Sequence, residues 1–234
     1  MSVYHIVLDL EMNPVSALQL SACNGLKTET IEFGAIKIDA STNQIVDEYS
    51  CVVCPEFNHR IEPEITRLTG ITSKEVRTAK SFHTALSDFI SWIGCDNATI
   101  FSWSPSDYWQ LRKECNAKHI AFPVELVNWV DFQAEYPKYL GYSLNKCFSL
   151  KEAAGMVGTT FISSRAHRAL YDAQITAKLV LFALTGEYKH YTNRISNMID
   201  SSPRVMTYSI GDTCGGKLTA LLTRLNSSTE REVF

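Results

Sequence analysis

The sequence lacks any apolar run long enough to form a transmembrane helix, and it contains no internal repeat or low-complexity tract. Its N-terminal apolar stretch, VYHIVLDLEM, is short and soon interrupted by acids, which argues against a signal peptide or a membrane span. We therefore expect a globular protein without membrane association. With 234 residues, the chain is long enough for one α/β domain with an appendage, or for two small domains.

An excess of charge of one sign is also missing. The 22 Lys and Arg residues are nearly balanced by 25 Asp and Glu residues, which leaves a formal net charge of −3. Such a balance makes the protein a poor candidate for gripping long duplexes by neutralising their phosphates. A nucleic-acid enzyme that binds a short single strand through metal ions is still compatible with it.

The sequence also lacks regularly paired cysteines. The seven cysteines are odd in number and irregularly spaced, which predicts a reducing, cytoplasmic setting. The stretch CVVC, Cys51 to Cys54, has no second cysteine pair, and His59 alone cannot complete a zinc site. A step of three residues on a strand also points the two sulfurs to opposite faces, so we favour buried strand cysteines over zinc.

The first half of the chain has the pattern of strands. Residues 3–10 predict a strand, and residues 13–28 are typical of a loop or a loosely helical excursion because they mix Pro, Ser, Asn and Gly. Two further strands, at about residues 30–39 and 46–54, flank the turn-like ASTNQ. They form a predicted hairpin, which makes the sheet mixed rather than wholly parallel.

From Pro63 onward the pattern alternates between helices and strands. PEITRLTG predicts a short helix closed by Gly70, Thr72 and Glu75 form a capping-box pattern, and SFHTALSDFISWIG is amphipathic. ATIFSW and ELVNWVD complete a predicted set of five strands, separated by a helix with Pro105 at its first position. SLKEAAGMVG and residues 168–184 are the last clear helices. The expected fold is α/β, a mixed five-stranded sheet flanked by helices over residues 1–187, with a small C-terminal extension at 188–234.

Two acids stand together near the end of the first predicted strand. Asp9 and Glu11 are two residues apart, so both point to the same face of that strand, about 7 Å apart along it. This spacing suits carboxylates that share a pair of divalent cations about 4 Å apart, as used for in-line phosphoryl transfer. Taken alone, the two acids are better explained as solvent-facing residues at a strand end.

Three further polar residues lie at the ends of other elements. Asp107 follows the strand ATIFSW, where the pattern SPSD is also typical of a helix start. Asp172 falls in the first turn of the last long helix, and His167 comes five residues before it. Five residues turn an ideal helix by about 500°, so the two side chains can act together only if His167 lies outside the helix.

The three stretches VLDLEMN, FSWSPSDYWQL and HRALYDAQITA resemble the exonuclease motifs of the DEDDh 3′–5′ exonucleases, the DnaQ-like group with a ribonuclease-H-like fold. IEFGAIKID and IEPEITRLTGIT resemble accessory stretches of that family. The resemblance spans about residues 3–185, in the expected order, and the third motif is the most specific. Because DLEMN replaces the more usual acid-x-acid-Thr-Gly run, the sequence is most similar to the ribonuclease branch that includes histone-mRNA exonuclease-like enzymes.

The resemblance implies a set of catalytic roles. It makes four acids the ligands of two divalent cations, Mg²⁺ or Mn²⁺, and His167 the general base; the acids are Asp9, Glu11, Asp107 and Asp172. A related subgroup uses a tyrosine four residues before the last acid. That position is Arg168 here, and Tyr171 is adjacent to Asp172, so the histidine subtype is expected.

Contacts to the substrate are expected beside these motifs. The candidates are Met12, Asn13, Leu68, Thr69, Trp103 and Arg165, with Arg168 as a further phosphate contact. Trp103 is equally well explained as a core residue at a strand end. The two arginines are equally well explained as solvated surface residues.

The predicted function is a metal-dependent 3′–5′ exonuclease that acts on single-stranded 3′ ends, with RNA favoured over DNA, and releases nucleoside 5′-monophosphates. Two alternatives stay open: a proofreading-type DNA exonuclease subunit, and a non-catalytic nucleic-acid-binding module on the same fold. A module without activity usually loses an acid or the histidine, and all five are present here. The C-terminal extension leaves room for a homodimer contact or a protein partner.

Overall fold

The computed structural model of the protein describes residues 3–16, 23–95, 97–142 and 147–201. Its strands are β1 (Tyr4–Pro14), β2 (Thr28–Asp39), β3 (Gln44–Cys54), β4 (Lys80–Ser81), β5 (Thr99–Ser102) and β6 (Trp129–Asp131). They form one six-stranded sheet in the order β4-β3-β2-β1-β5-β6. Part of the predicted loop at 13–28, residues 17–22, lies outside the described residues.

The sheet is mixed, as the sequence predicted. β2 pairs antiparallel with both β1 and β3, whereas β5 runs parallel to β1 and to β6. The predicted number of five strands was one too few, because the two-residue β4 pairs parallel with the end of β3. Two residues are too few to show a period-2 pattern, so this strand has no sequence signal.

The helices are α1 (Pro63–Thr69), α2 (Ser73–Arg77), α3 (Phe82–Ile93), α4 (Ser106–Ala117), α5 (Phe132–Tyr139), α6 (Leu150–Met156), α7 (Ala169–Thr185) and α8 (Thr192–Ser201). Short 3-10 helices occupy Val124–Leu126 and Glu187–Tyr191. The predicted helix ends are confirmed at α1 and α2. Gly70 ends α1 in the left-handed conformation, and Thr72 and Glu75 form a capping box at the start of α2. The helix α5 had not been predicted.

Helices cover both faces of β1. Successive residues of this strand alternate between two cores, with Ile6 and Leu8 packed on the side of α3 and Val7 packed on the side of α7. Asp9 and Glu11 share the parity of Val7, so they emerge on the α7 side. β1 also continues to Pro14, beyond the predicted end at Leu10, because β2 pairs with it along its whole length. The two acids therefore lie inside a covered strand and not at a solvent-facing end.

The start of the predicted C-terminal extension packs on the α7 side of the sheet. Ile195 of α8 is buried in the same hydrophobic cluster as Leu179 and Val180 of α7. The domain boundary at 187 and 188 stays a prediction, and residues 202–234 lie outside the described residues. Of the helices that the structure describes, none has both the length and the apolar character needed to cross a bilayer.

The sheet and α7 approach each other closely at Gly34 of β2. A Cβ atom at this position would overlap the backbone of Ala169 and Leu170, the first two residues of α7. Gly34 is paired with Asp9 across the β1–β2 ladder. The absence of a side chain at Gly34 therefore lets the first turn of α7 lie directly over the first acid of β1.

We expect Gly34→Ala to destabilise the protein, because the new methyl group can be accommodated only if α7 moves away from the sheet. Overpacking of this kind costs about 1–3 kcal/mol or more, which thermal unfolding would show as a lower melting temperature. Because Asp172 moves with α7, the rise in melting temperature that the expected divalent cations would cause should shrink as well.

The matched control is Gly155→Ala in α6. A Cβ there would meet only the flexible end of Met198, at 3.3 Å, and alanine is the better helix former. That variant should melt close to the wild type. Wild-type melting and metal response in Gly34→Ala would contradict the role assigned to the close approach.

Candidate active site

Four buried carboxylates meet where β1, α4 and α7 converge. Asp9 and Glu11 come from β1, Asp107 from the first turn of α4 and Asp172 from the first turn of α7. All four are less than a tenth exposed. Oxygen atoms of Glu11 and Asp172 and a ring nitrogen of His167 lie within 4.8 Å of one another, as ligands of a single cation would. The structure thus brings together all five residues that the motifs singled out.

Asp107 is held against β1. Its Oδ1 accepts a hydrogen bond from the backbone N–H of Leu10 at 3.1 Å. The predicted capping box of Ser104 and Asp107 does not form: the N-cap residue of α4 is Pro105, and the Ser104 hydroxyl accepts from the N–H of Ser106 instead. Pro105 thus lies one residue before the first helical position, Ser106, and not at that position as predicted. The acid is oriented by the strand that carries Asp9 and Glu11.

Asp172 and His167 are connected through the backbone that precedes α7. The N–H of His167 donates to Asp172 Oδ2 at 2.9 Å, while the buried Oδ1 of Asp172 has no hydrogen-bond partner among the described residues. His167 lies outside the helix, as the five-residue spacing required, and its φ of 64° is left-handed. A buried carboxylate oxygen without such a partner, in a cluster of acids, fits a site that takes a cation.

A fifth acid beside the site, Glu32 of β2, was missed by the sequence analysis. Glu32 pairs with Glu11 across the β1–β2 ladder and is 1% exposed. Both its oxygens are engaged: Arg168 Nε and Nη2 donate to them at 2.6–3.2 Å, and the N–H of Ala169 donates at 2.9 Å. Glu32 therefore caps α7 from a distant strand and is not available as a metal ligand. The one available signal was an acid within the otherwise apolar run IEFGAI.

Burial and mutual repulsion raise the pKa values of the site acids. The pKa values of Asp9 and Glu11 are raised well above their usual range, first by burial and then by the neighbouring carboxylates. Burial raises the pKa of Asp107 to about 7 and that of Asp172 to about 6, although the N–H groups of Leu10 and His167 oppose the shifts. Burial lowers the pKa of His167.

The expected substrate contacts divide into two groups. Asn13, Thr69 and Trp103 are buried, and hydrogen bonds within the protein occupy their polar groups. Asn13 ties the end of β1 to the backbone of Arg60 and Glu62, and Thr69 bonds to its own helix and to the N–H of Ile71. Direct contact with a substrate by these three residues is therefore not supported.

Trp103 is a core residue, the alternative that the sequence left open. Its indole N–H donates to the carbonyl of Phe148, and its ring packs edge-on against Phe132 and Tyr136. Three candidates keep an accessible surface: Met12 and Leu68 are half-buried, and Arg165 is exposed over the ring of Tyr171. These three stay predictions.

The zinc alternative at CVVC finds no support. Cys54 Sγ lies 4.0 Å from His59 Nδ1, but among the described residues neither Cys51 nor Cys54 belongs to a group of three metal-ligating side chains.

The raised pKa values predict how the metal-free protein responds to pH. A group whose pKa is higher in the folded state stabilises the fold below its unfolded pKa, near 4, and this contribution is lost as pH rises through the folded pKa. For Asp107 and Asp172 that range ends at about 7 and about 6. We therefore expect the melting temperature in EDTA to fall from about pH 5 to about pH 7.5, and Mn²⁺ to restore it at the upper pH.

Asp9→Asn tests the origin of this dependence, because the amide keeps the shape of the side chain without its charge. The variant should melt several degrees higher than the wild type in EDTA at about pH 7.5, with a weaker pH dependence and a smaller response to Mn²⁺. Asp88→Asn, which removes an exposed acid paired with Lys80, is the control and should change little. Parallel pH curves for wild type and Asp9→Asn would contradict the prediction.

Comparison with known proteins identifies the family. A family model described as exonuclease (RNase_T) matches residues 6–180, which cover all five site residues. ERI1 exoribonuclease 2 of Danio rerio is 28% identical over 178 residues, 67% of this chain and 31% of that protein. The 3′–5′ exonuclease Snipper of Drosophila melanogaster is 27% identical over 192 residues, 70% of this chain and 67% of that protein. The chain thus spans about a third of the first relative and two thirds of the second.

Solved structures share the fold. The nuclease domain of 3′hExo, a DEDDh family member bound to rAMP, has a TM-score of 0.67 at 20% identity and covers 78% of this chain and 92% of its own. Exonuclease I of E. coli in complex with a dA16 oligonucleotide has a TM-score of 0.56 at 14% identity, covering 85% and 43%. The expected ribonuclease-H-like α/β fold is thereby confirmed. With a family match over most of its length, the chain belongs to the exonuclease family, and its relatives and fold are those of the DEDDh 3′–5′ exonucleases.

Proposed function

We propose that the protein is a metal-dependent exonuclease that removes nucleotides from the 3′ end of single-stranded nucleic acid and releases nucleoside 5′-monophosphates. The observation that carries this proposal is the convergence of four buried acids and one histidine from separate elements. Backbone N–H groups donate to Asp107 and Asp172, yet the pKa values of all four acids remain raised. Buried acids with raised pKa values are typical of functional sites.

Two divalent cations, Mg²⁺ or Mn²⁺, are the proposed cofactors. Asp9, Glu11, Asp107 and Asp172 would hold them, and an all-carboxylate donor set suits these hard cations. When bound, the cations supply activation of the attacking water and stabilisation of the leaving 3′ oxygen. The unpartnered Oδ1 of Asp172 and the raised pKa values of the acids support this assignment.

We assign the general base to His167. Burial lowers its pKa, so the imidazole is neutral at physiological pH and can accept a proton. The hydrogen bond from its backbone N–H to Asp172 keeps its main chain beside the acids, while its ring is outside the helix and half-buried. Its ring nitrogen is also close enough to Glu11 and Asp172 to be a metal ligand, a second role that the experiments below separate from the first.

RNA is the favoured substrate. This proposal rests on the ribonuclease-like first motif and on the relatives whose names describe exoribonucleases, in Danio rerio and Homo sapiens. A DNA-directed enzyme is the alternative, since the PolC-type DNA polymerase III of Thermotoga petrophila is 28% identical over 158 residues. A cytoplasmic setting, and a homodimer or protein contact through the C-terminal extension, are further proposals that rest on the sequence.

The proposal is tested with RNA and DNA oligonucleotides of one sequence, labelled at either end and incubated with the full chain in Mg²⁺, Mn²⁺ or EDTA. We expect 5′-labelled RNA to shorten stepwise and 3′-labelled RNA to release a labelled mononucleotide at once, only with metal. Faster turnover of DNA than RNA would reverse the substrate preference. If neither polymer shortens from its 3′ end in any metal, the protein is a binding module.

His167→Ala and Asp9→Ala should fail in different ways. Removing the base leaves the acids in place, so His167→Ala should lose turnover by about 100-fold or more and keep the Mn²⁺-induced rise in melting temperature. Asp9→Ala should lose both. If His167→Ala also loses the Mn²⁺ response, the histidine is a ligand and not the base.

A further inference from the structure

The outer face of α4 carries an exposed tryptophan and two cations. Trp109, Arg112, Lys113 and Asn116 are all exposed, and their spacing of three, four and seven residues puts them on one side of the helix. Trp109 is 53% exposed, although tryptophan has the largest side chain and is highly buried on average in folded proteins. The proposed mechanism does not use any of these four residues.

The same face has no acid. The acids of α4 are Asp107 and Glu114, and both point inward: Asp107 accepts from Leu10, and Glu114 bonds to Thr30 and Lys118. In a protein with a net charge of −3, this helix face therefore has a local charge of about +2. Such a face is complementary to a polyanion.

Rings behind the face hold these side chains in place. The ring of Tyr108 packs edge-on against Trp109 at 5.1 Å and against Phe122 and Trp129 at 5.8 and 5.4 Å. The guanidinium of Arg112 lies 4.7 Å from the centre of the Phe122 ring. An indole and a guanidinium fixed in this way lose little conformational entropy when a ligand binds.

We propose that this face of α4 binds single-stranded nucleic acid upstream of the 3′ end, with a base stacked on Trp109 and phosphates beside Arg112 and Lys113. The proposal rests on the exonuclease function proposed above. Asp107 lies in the first turn of α4 and points inward, so the outer face of that turn is about one helix width, 10–12 Å, from this acid. A stacked strand covers that distance in about three nucleotides. The face therefore acts only on strands longer than that, and it determines preference for length rather than the chemistry of cleavage.

Binding of labelled oligoadenylates to the full chain tests this, measured by fluorescence anisotropy with Ca²⁺ in place of Mg²⁺. For strands of about 12 nucleotides, Trp109→Ala should weaken binding about tenfold, because base–aromatic stacking is lost. Trp109→Phe should retain most of the affinity. For strands of about 2 nucleotides, the same substitutions should have a much smaller effect, since such strands end before the face begins.

Salt dependence tests the two cations separately. Arg112→Ala and Lys113→Ala should each lower the slope of log K against log salt by about 0.7, whereas Trp109→Ala should leave the slope unchanged. The controls are Lys74→Ala, an exposed cation of α2, and Val46→Ala, an apolar side chain of β3 that is 52% exposed. Neither control should change affinity or slope.

The outcomes separate this proposal from the exonuclease function. Wild-type affinity of Trp109→Ala for long strands, or an equal loss for short ones, overturns the proposal even if the enzyme degrades RNA. A length-dependent loss in a protein that cleaves nothing supports the binding face and removes the exonuclease function. If Trp109→Ala changes the sedimentation coefficient but not nucleic-acid affinity, the face is a contact between copies of the chain and the proposal is wrong.

Discussion

The approach of α7 to β2 at Gly34 is the constraint on which the site depends. It lets the helix start over the paired strand residue Asp9, and Glu32, two residues earlier on the same face of β2, bonds to the first N–H of α7 and to Arg168. These contacts therefore fix both the distance of the first turn of α7 from the sheet and the direction of the helix. His167 and Asp172 are positioned by a strand to which neither belongs, so the geometry of the candidate site is set by tertiary contacts and not by the third motif alone.

The site also shows how a stable fold accommodates a cluster of buried acids whose charges repel one another. Hydrophobic packing on both faces of β1 holds Asp9 and Glu11 in place, although their charges repel each other and those of Asp107 and Asp172. Glu32 forms an ion pair with Arg168, whereas within the described part of the chain none of the other four acids forms an ion pair with Lys or Arg. The contrast distinguishes a structural carboxylate from carboxylates arranged for a bound cation.

Patterns of spacing predicted the parts of this protein that depend on local sequence. Periodicity and end signals predicted the strands β1, β2 and β3, the cap of α2, and the position of His167 before α7. What a side chain contacts across the fold does not follow. Asn13 was expected at the substrate, and Trp103 either there or in the core, because of their places in the sequence. The backbone of Glu62, before α1, bonds to Asn13, and the carbonyl of Phe148 accepts from Trp103. Glu32 looked like an ordinary strand residue because Arg168 is 136 positions away.

The left-handed backbone of His167 has a consequence for evolution. At a φ of 64°, glycine adopts the left-handed conformation at lower cost than a residue with a side chain does. The proposed base thus occupies a position where replacement by glycine relieves backbone strain and removes the imidazole at the same time. Mutational drift at this position leads toward a more stable protein without the proposed base, and only selection for turnover opposes it. A descendant of this chain with glycine there would be a binding module that lost its proposed chemistry while gaining stability.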